Sequence, residues 1–270
     1  MKTLNNTFVV PLIHLNETLS TNSYLEELSS KKDVEEFTTV LADYQTAGRG
    51  QRGNHWEADA GKNLLFSFVL YPKFVASEHQ FIVSQIAALA LKESLDIYDE
   101  GFSIKWSNDL YWHDKKISGM LIENSLIDGY MSKCIVGIGL NVNQKKFCSD
   151  APNPVSLYQI IGKTVDRIQL LNDIMSRMRG YYTLLQKGDN DTIRARYAQS
   201  LYRKKGTFRY EDANGLFEAT FADVCNDGTY VLCDTEGNKR RYLFKEINCT
   251  TSPYSNKLSQ FLIKIFIHAR

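Results

Sequence analysis

Residues 37–70 read FTTVLADYQTAGRGQRGNHWEADAGKNLLFSFVL, and this stretch decides which folds the chain can adopt. Residues 37–42 are β-branched and apolar enough for a strand, and residues 63–70 form a second one, stopped by Pro72. Between them, Gly48-Arg49-Gly50-Gln51-Arg52-Gly53 satisfies the G-x-G-x-x-G pattern of dinucleotide-binding folds. Those folds open a helix at the last glycine, so that its N-terminus meets a pyrophosphate. Here only residues 54–62 separate the loop from the next strand, with Gly61 among them, and no helix fits. A P-loop is excluded too, because no Gly-Lys-Ser/Thr follows. What the loop offers is backbone N–H groups beside Arg49 and Arg52, which suits an anion cradle and equally a solvated basic hairpin.

Working outward, residues 8–15 (FVVPLIHL) read as a strand, and Thr18-Leu19-Ser20-Thr21-Asn22-Ser23 is rich in N-cap residues ahead of a short helix at 24–28. The clearest helix spans 77–98. Ser77 and Gln80 have capping-box spacing, and apolar residues cover nearly every face, as in a buried helix. Strands follow at 102–106, 117–123 and 134–142, and helices at 166–185 and 191–202. Near Gly206 the texture changes to short strands (206–210, 215–224, 229–233, 239–247) separated by Asn214-Gly215, Asp227-Gly228 and Glu236-Gly237. This predicts a small β-barrel appended to a mixed α+β domain. The tail 258–267 (LSQFLIKIFI) fits an element docked on the body, a partner contact or a disordered end.

Composition narrows the class. The 270 residues are 43% hydrophobic, enough for a core without disulfides, and a net charge of +1 argues against non-specific nucleic-acid binding. Five cysteines (Cys134, Cys148, Cys225, Cys233, Cys249) at irregular spacing, with no C-x-x-C pair, point to reduced intracellular thiols. The N-terminal residues lack a signal-peptide apolar run, and no apolar stretch approaches membrane-spanning length. None of the five histidines stands at metal-ligand spacing. The expectation is a cytoplasmic protein without a structural metal. Cys134, in an apolar strand, is expected to be a buried inert thiol.

Two further stretches carry chemistry. Lys105-Trp106-Ser107-Asn108-Asp109 closes a strand into a turn, and Lys115-Lys116 leads into Ile117-Ser118-Gly119-Met120-Leu121-Ile122-Glu123. Gly137-Ile138-Gly139-Leu140-Asn141-Val142-Asn143 sets two glycines in a strand, where glycine marks close approach by a ligand or another chain segment. Each of these alone is also what a solvated lysine or an ordinary turn asparagine looks like.

In combination and order, the segments resemble those of the biotin–protein ligases, over residues 8–248. They are Ser20-Thr21-Asn22-Ser23; Gln45-Thr46-Ala47-Gly48-Arg49-Gly50 with Trp56; Lys105-Trp106-x-Asn108-Asp109; Lys116-Ile117-x-Gly119-x-Leu121-Ile122-Glu123; and Gly137-Ile138-Gly139-x-Asn141-Val142-Asn143. The resemblance implies an α+β fold, with a mixed sheet and helices like those of class II aminoacyl-tRNA synthetases, followed by a small SH3-like β-barrel. It implies a catalytic domain at 1–203, the barrel at 204–249 and a C-terminal extension at 250–270. The first motif lies at residue 20, so the expected form lacks the DNA-binding domain that some members carry.

The implied reaction activates biotin with ATP and Mg2+ to biotinyl-5′-AMP, then transfers biotin to a lysine of a biotin carboxyl carrier protein of acetyl-CoA carboxylase or a related carboxylase. By resemblance, Arg49, Lys116, Lys105 and Asp109 are catalytic. Ser20, Thr21, Asn22, Gln45, Gly48, Arg49, Lys116 and Gly119 would bind biotin, while Gly50, Gln51, Arg52, Trp56, Asn108, Lys116 and Asn141 would bind ATP, with Mg2+ held by its phosphates. Asp109 would take the proton of the acceptor amine, although a loop carboxylate also fits a turn or an ion pair. Two departures stand out: Gln51 where many members have arginine, and Ser107 where proline is usual. The resemblance allows a homodimer and implies neither DNA nor membrane as a partner. The rival readings are a lipoate–protein ligase, whose Arg-Arg-x-x-Gly-Gly-Gly loop is absent, and a non-catalytic biotin-binding module, which would keep the pocket and lose the cations.

Overall fold

A run as apolar as LLFSFVL belongs at the centre of a sheet covered on both faces. In the computed structural model, which describes residues 9–50, 55–148 and 153–250, β3 (Leu64–Leu70) is buried along its whole length. It lies inside a seven-stranded sheet with β1 (Leu12–Thr18), β2 (Thr39–Gln45), β4 (Phe102–Lys105), β5 (Asp109–Trp112), β6 (Lys115–Ile127) and β7 (Tyr130–Leu140). The order is β1-β2-β3-β7-β6-β5-β4; β1 and β2 are parallel and every other pair is antiparallel.

Strand alternation sorts the faces. Val69 joins Leu25 of helix α1 (Thr21–Lys31), Val40 and Ile135 in one cluster. On the opposite face Phe66 and Phe68 stack at 6.4 Å, and Phe37 meets both Phe68 and Tyr182. Tyr182 belongs to α4 (Arg167–Gln186), which packs with α5 (Asn190–Gln199) around α2 (Phe81–Leu95). The all-round apolar pattern of α2 is explained by this position, since eleven of its fifteen residues are buried. α4 is capped by Asp166, which accepts from the backbone N–H of Ile168 and Gln169.

The differences from expectation have local causes. Ser77 and Gln80 form no capping box: the Ser77 N–H donates to the Gly129 carbonyl, a single 3-10 turn covers Ser77–His79, and the α-helix begins at Phe81. β1 lies four residues later than read at its start. α1 begins at Thr21, with Ser20 at its N-cap but making no side-chain cap bond. β5, read as a turn, is held in the sheet by Lys105↔Asp109 and Asp109↔Gly119 pairings. α3 (Leu157–Ile161) was also unforeseen; it has a true capping box of Ser156 and Gln159 and ends at Gly162 with φ 73°.

Two compact units result. One holds the described residues through Tyr202 with Asn226–Gly228; the other holds Arg203–Cys225 and those from Thr229 on. The second contains an antiparallel five-stranded sheet of order β11-β10-β9-β8-β12, from β8 (Thr207–Asp212), β9 (Gly215–Val224), β10 (Tyr230–Asp234), β11 (Lys239–Tyr242) and β12 (Asn248–Cys249). Phe217 stacks between Tyr210 and Tyr242 there. The expected single strand at 239–247 breaks after Tyr242, where Lys245 adopts φ 67°, and the chain resumes as β12 on the far edge beside β8. The tail 258–267 and loop residues Gln51 and Arg52 lie outside the described residues. Among the described residues, no helix is long and apolar enough to cross a membrane.

Candidate active site

The site is a trough on the α1 face of the large sheet, and three glycines make its floor. Register places Ser67, Gly137 and Leu121 in one row across β3, β7 and β6. Leu65, Gly139, Gly119 and Asp109 form the next row. Side chains at the glycine positions would fill the space that two other side chains use. A Cβ on Gly137 would lie 2.0 Å from Asn22 Oδ1, and one on Gly139 would lie 2.5 Å from the Trp56 ring. A Cβ on Gly119 would sit at 3.2–3.3 Å from Trp56, Asp109 and Lys116 at once. The strand glycines thus mark close approach, as their position in the sequence implied.

One end of the trough is polar. Ser20, Thr21 and Asn22, at the start of α1, are all buried. Thr21 donates from its backbone N–H to Gln45 Oε1 at 2.7 Å. Asn22 Nδ2 donates to Glu123 Oε2 at 2.7 Å and to the Leu121 carbonyl at 3.2 Å. Ser67 donates to Asn22 Oδ1 at 2.5 Å. Arg49, at the base of the glycine loop, donates to Ser23 Oγ at 3.1 Å and pairs with Glu123 Oε1 at 3.5 Å. That pair is about half exposed, which limits it to about 0–1 kcal/mol. The two flanks of residues 51–54 are held together: Arg49 and His55 form an antiparallel bridge, and the Trp56 N–H donates to the Gly48 carbonyl.

At the other end Lys116 and Asp109 form an ion pair, Nζ to Oδ1 at 2.8 Å. The ammonium also lies 5.8 Å from the Trp56 ring centroid. Backbone bonds fix Lys116 from below: its N–H donates to the Asn153 carbonyl, and its carbonyl accepts from Val155. Asn108 Nδ2 holds the Met120 carbonyl at 2.6 Å, tying β5 to β6 next to the pair. Trp56 Nε1 is buried and has no partner among the described residues.

Of the candidate residues, the structure brings Ser20, Thr21, Asn22, Gln45, Arg49, Gly50, Trp56, Asn108, Asp109, Lys116 and Gly119 around this one trough. Gly48 lies just behind, packed on Gln45 and the Trp56 carbonyl. Two candidates are elsewhere. Lys105 donates to the Tyr111 hydroxyl at 2.9 Å and sits over that ring, outside the lining. Asn141 is buried behind the floor. Its Nδ2 holds the Val155 carbonyl at 3.1 Å, so it supports the segment that pins Lys116, and its Oδ1 is without a partner among the described residues. Ser67 was not singled out by the sequence, and Glu123 stood in a motif without a role, although both touch Asn22. A lone serine inside an otherwise apolar strand was the available signal for Ser67. Cys134 is fully buried, and burial pushes its thiol far above the ordinary range.

Residues 16–141 match the model of the Biotin/lipoate A/B protein ligase family. The fold agrees: a biotin protein ligase from Aquifex aeolicus, in complex with biotin and ATP, superposes with a TM-score of 0.74 at 29% identity, covering 90% of this chain and 99% of that one. Over residues 16–141 the chain is similar to the family. Its curated relatives include the bifunctional ligase/repressor BirA of Bacillus subtilis, 28% identical over 86% of this chain and 72% of that protein. The biotin--[acetyl-CoA-carboxylase] ligase of Paracoccus denitrificans is 29% identical over 83% of this chain and 95% of that one. The family's mixed sheet with helices is the fold observed, and the trough occupies the matched segment.

Proposed function

We propose that this chain is an ATP-dependent biotin–protein ligase, which forms biotinyl-5′-AMP and transfers the biotinyl group to a lysine of a biotin carboxyl carrier domain. The observation that carries the reading is the trough itself, with buried amide and hydroxyl groups at one end and the Lys116–Asp109 pair at the other. Biotin's ureido ring can use Ser20, Thr21, Asn22 and Gln45 as hydrogen-bonding partners. The dithiolane of lipoate has no N–H or C=O with which to exchange hydrogen bonds with this polar cluster, which favours biotin over lipoate.

In the first step a carboxylate oxygen of biotin attacks the α-phosphorus of ATP, and the bond to the β-phosphate oxygen breaks to release pyrophosphate. Two anions must meet, so cations and N–H donors carry the catalysis. Arg49 and the loop N–H groups at Gly48 and Gly50 face the carboxylate and α-phosphate, Lys116 reaches both, and Lys105, held on Tyr111 outside the lining and two strands from Lys116, adds positive charge only at longer range. Trp56 walls the adenine, with Asn108 and Asn141 behind the nucleotide; Gln51 and Arg52, outside the described residues, stay nucleotide-binding candidates by resemblance alone. Among the described residues no three His, Cys, Asp or Glu side chains gather to hold a metal, and Asp109 is engaged by Lys116. Mg2+ fits as an ion carried on the ATP phosphates, where it supplies Lewis-acid charge.

In the second step the carrier lysine nitrogen attacks the acyl carbon, the acyl–phosphate C–O bond breaks and AMP leaves. That amine must first be neutral, and its ordinary pKa is about 10.4. Asp109 accepts its proton once Lys116 has turned to the phosphate. We place catalysis in residues 1–203, an SH3-like barrel at 204–249 and an extension at 250–270, working in the cytoplasm.

The test is mass spectrometry of a carrier domain incubated with this protein, biotin and MgATP, with lipoate in parallel. One biotinyl group on the carrier lysine is expected. Lys116→Ala should abolish product while biotin binding persists. Transfer of lipoate alone, or biotin binding with no turnover by the unaltered chain, would overturn the assignment.

A further inference from the structure

We propose that Ser67 is a positioning residue for the ureido end of the pocket, acting through Asn22 and Thr21. The proposal rests on the biotin-ligase reading and names what sets the geometry of that site.

Proton counting shows why. Ser67 Oγ lies 2.5 Å from Asn22 Oδ1, an atom that can only accept, so the single serine proton goes there. Ser67 Oγ also lies 2.7 Å from Thr21 Oγ1. With its own proton spent on Asn22, Ser67 must accept in that contact, and Thr21 must donate. The Thr21 hydroxyl proton is then unavailable to Gln45 Oε1 at 3.1 Å, which takes the Thr21 backbone N–H at 2.7 Å instead. The chain therefore runs one way, from Thr21 through Ser67 to the Asn22 carbonyl, and on from the Asn22 amide to Glu123.

Ser67 is fully buried in a strand whose other residues are all apolar, so the hydroxyl is tolerable there only because both its roles are filled. Its register partner across the sheet is Gly137, whose missing Cβ leaves the space that Asn22 Oδ1 occupies. Serine and glycine on opposed strands thus form one seat. Glycine makes room for Asn22, and serine fixes which edge of the amide faces the sheet. The Asn22 amide, its two protons committed to Glu123 and the Leu121 carbonyl, and the Thr21 oxygen, its proton committed to Ser67, are held in place before any ligand arrives, which removes an ordering cost from binding.

The experiment is calorimetric titration of the full chain with biotin, and separately with ATP, for the unaltered protein, Ser67→Ala and Ser67→Cys. Cysteine keeps nearly the size but donates weakly. Both variants should bind biotin at least about tenfold more weakly, with ATP affinity within about twofold. A merely structural serine would lower both affinities together, and that result, like unchanged biotin binding, overturns the proposal. Should Ser67→Ala fail to fold, normal biotin affinity in Ser67→Cys overturns it equally. Absence of biotin binding by the unaltered chain would remove the ligase reading and this inference with it; binding there with the variants unaffected removes the inference alone.

Discussion

Replacing Gly137 by alanine perturbs the site through a single methyl group. The new Cβ would stand 2.0 Å from Asn22 Oδ1, 2.8 Å from its Cγ and 3.1 Å from its Nδ2, where ordinary contact begins near 3.4 Å. The amide must retreat by about 1.4 Å, because the obstacle is the floor strand and not a flexible tip. Neither the 2.5 Å bond from Ser67 nor the 2.7 Å bond to Glu123 survives such a shift. Two bonds at about 1 kcal/mol each, with about 1–3 kcal/mol for the stranded buried hydroxyl, give a loss of about 3–5 kcal/mol. For a chain of this size the melting temperature should fall by about 6–20 °C. Losing the Asn22 orientation should weaken biotin binding by about thirtyfold, roughly 2 kcal/mol. Differential scanning calorimetry and biotin titration read the two effects. Gly180→Ala is the control: this glycine is exposed in α4 with nothing within 4 Å of the new Cβ, and the change should stabilise by about 0.5–1 kcal/mol. The reasoning is refuted if Gly137→Ala melts no lower than the unaltered protein and binds biotin within about twofold.

Asp109→Asn should slow transfer to the carrier far more than adenylate formation, and the transfer rate should climb about tenfold per pH unit toward the amine pKa of about 10.4. A flat pH profile in a stopped-flow transfer assay would remove Asp109 as the proton acceptor. At Asp43, burial is the largest influence and raises the carboxyl pKa, but the hydrogen bond from Arg167, the His14 imidazole 3.2 Å away and the charge on these two groups together outweigh it and hold the group below its ordinary value. A lowered folded pKa gives stability that is present above the unfolded value of about 3.9 and lost as pH falls through the folded one. Asp43→Asn should therefore melt lower at neutral pH and show a shallower acid limb below about pH 4, measured by thermal melts; an unchanged limb would place the acid sensitivity elsewhere.

How far the site was legible depended on whether a residue's partner was local. The unbroken apolar run at β3 announced a central strand, and the paired glycines of β7 announced a close approach, both from chemistry contained in a few residues. What approaches was illegible, because Asn22 and Trp56 reach those glycines from 115 and 83 positions away. β5 was missed for the same reason. Four residues, DLYW, carry too little alternation to declare a strand, and the element exists because Lys105 and Gly119 pair with Asp109 from either side. The motif placed Lys105 beside the nucleotide, yet its ammonium is held by Tyr111, a neighbour on the same strand pair. Ser77 had the spacing of a helix cap, but the hairpin carbonyl of Gly129 takes its N–H, and the helix starts at the next opportunity. At Ser77 the local signal was sound, and a longer-range hydrogen bond outcompeted it. Ser67 shows the converse. A polar residue in a fully buried strand is costly unless both its proton and its lone pair are used, so its presence already required two partners on the covering face. That face is α1, whose first turn carries the biotin-contacting candidates Thr21 and Asn22. The lone serine is therefore the one residue of β3 whose chemistry, in the amino-acid sequence alone, points to the ligand end of the site.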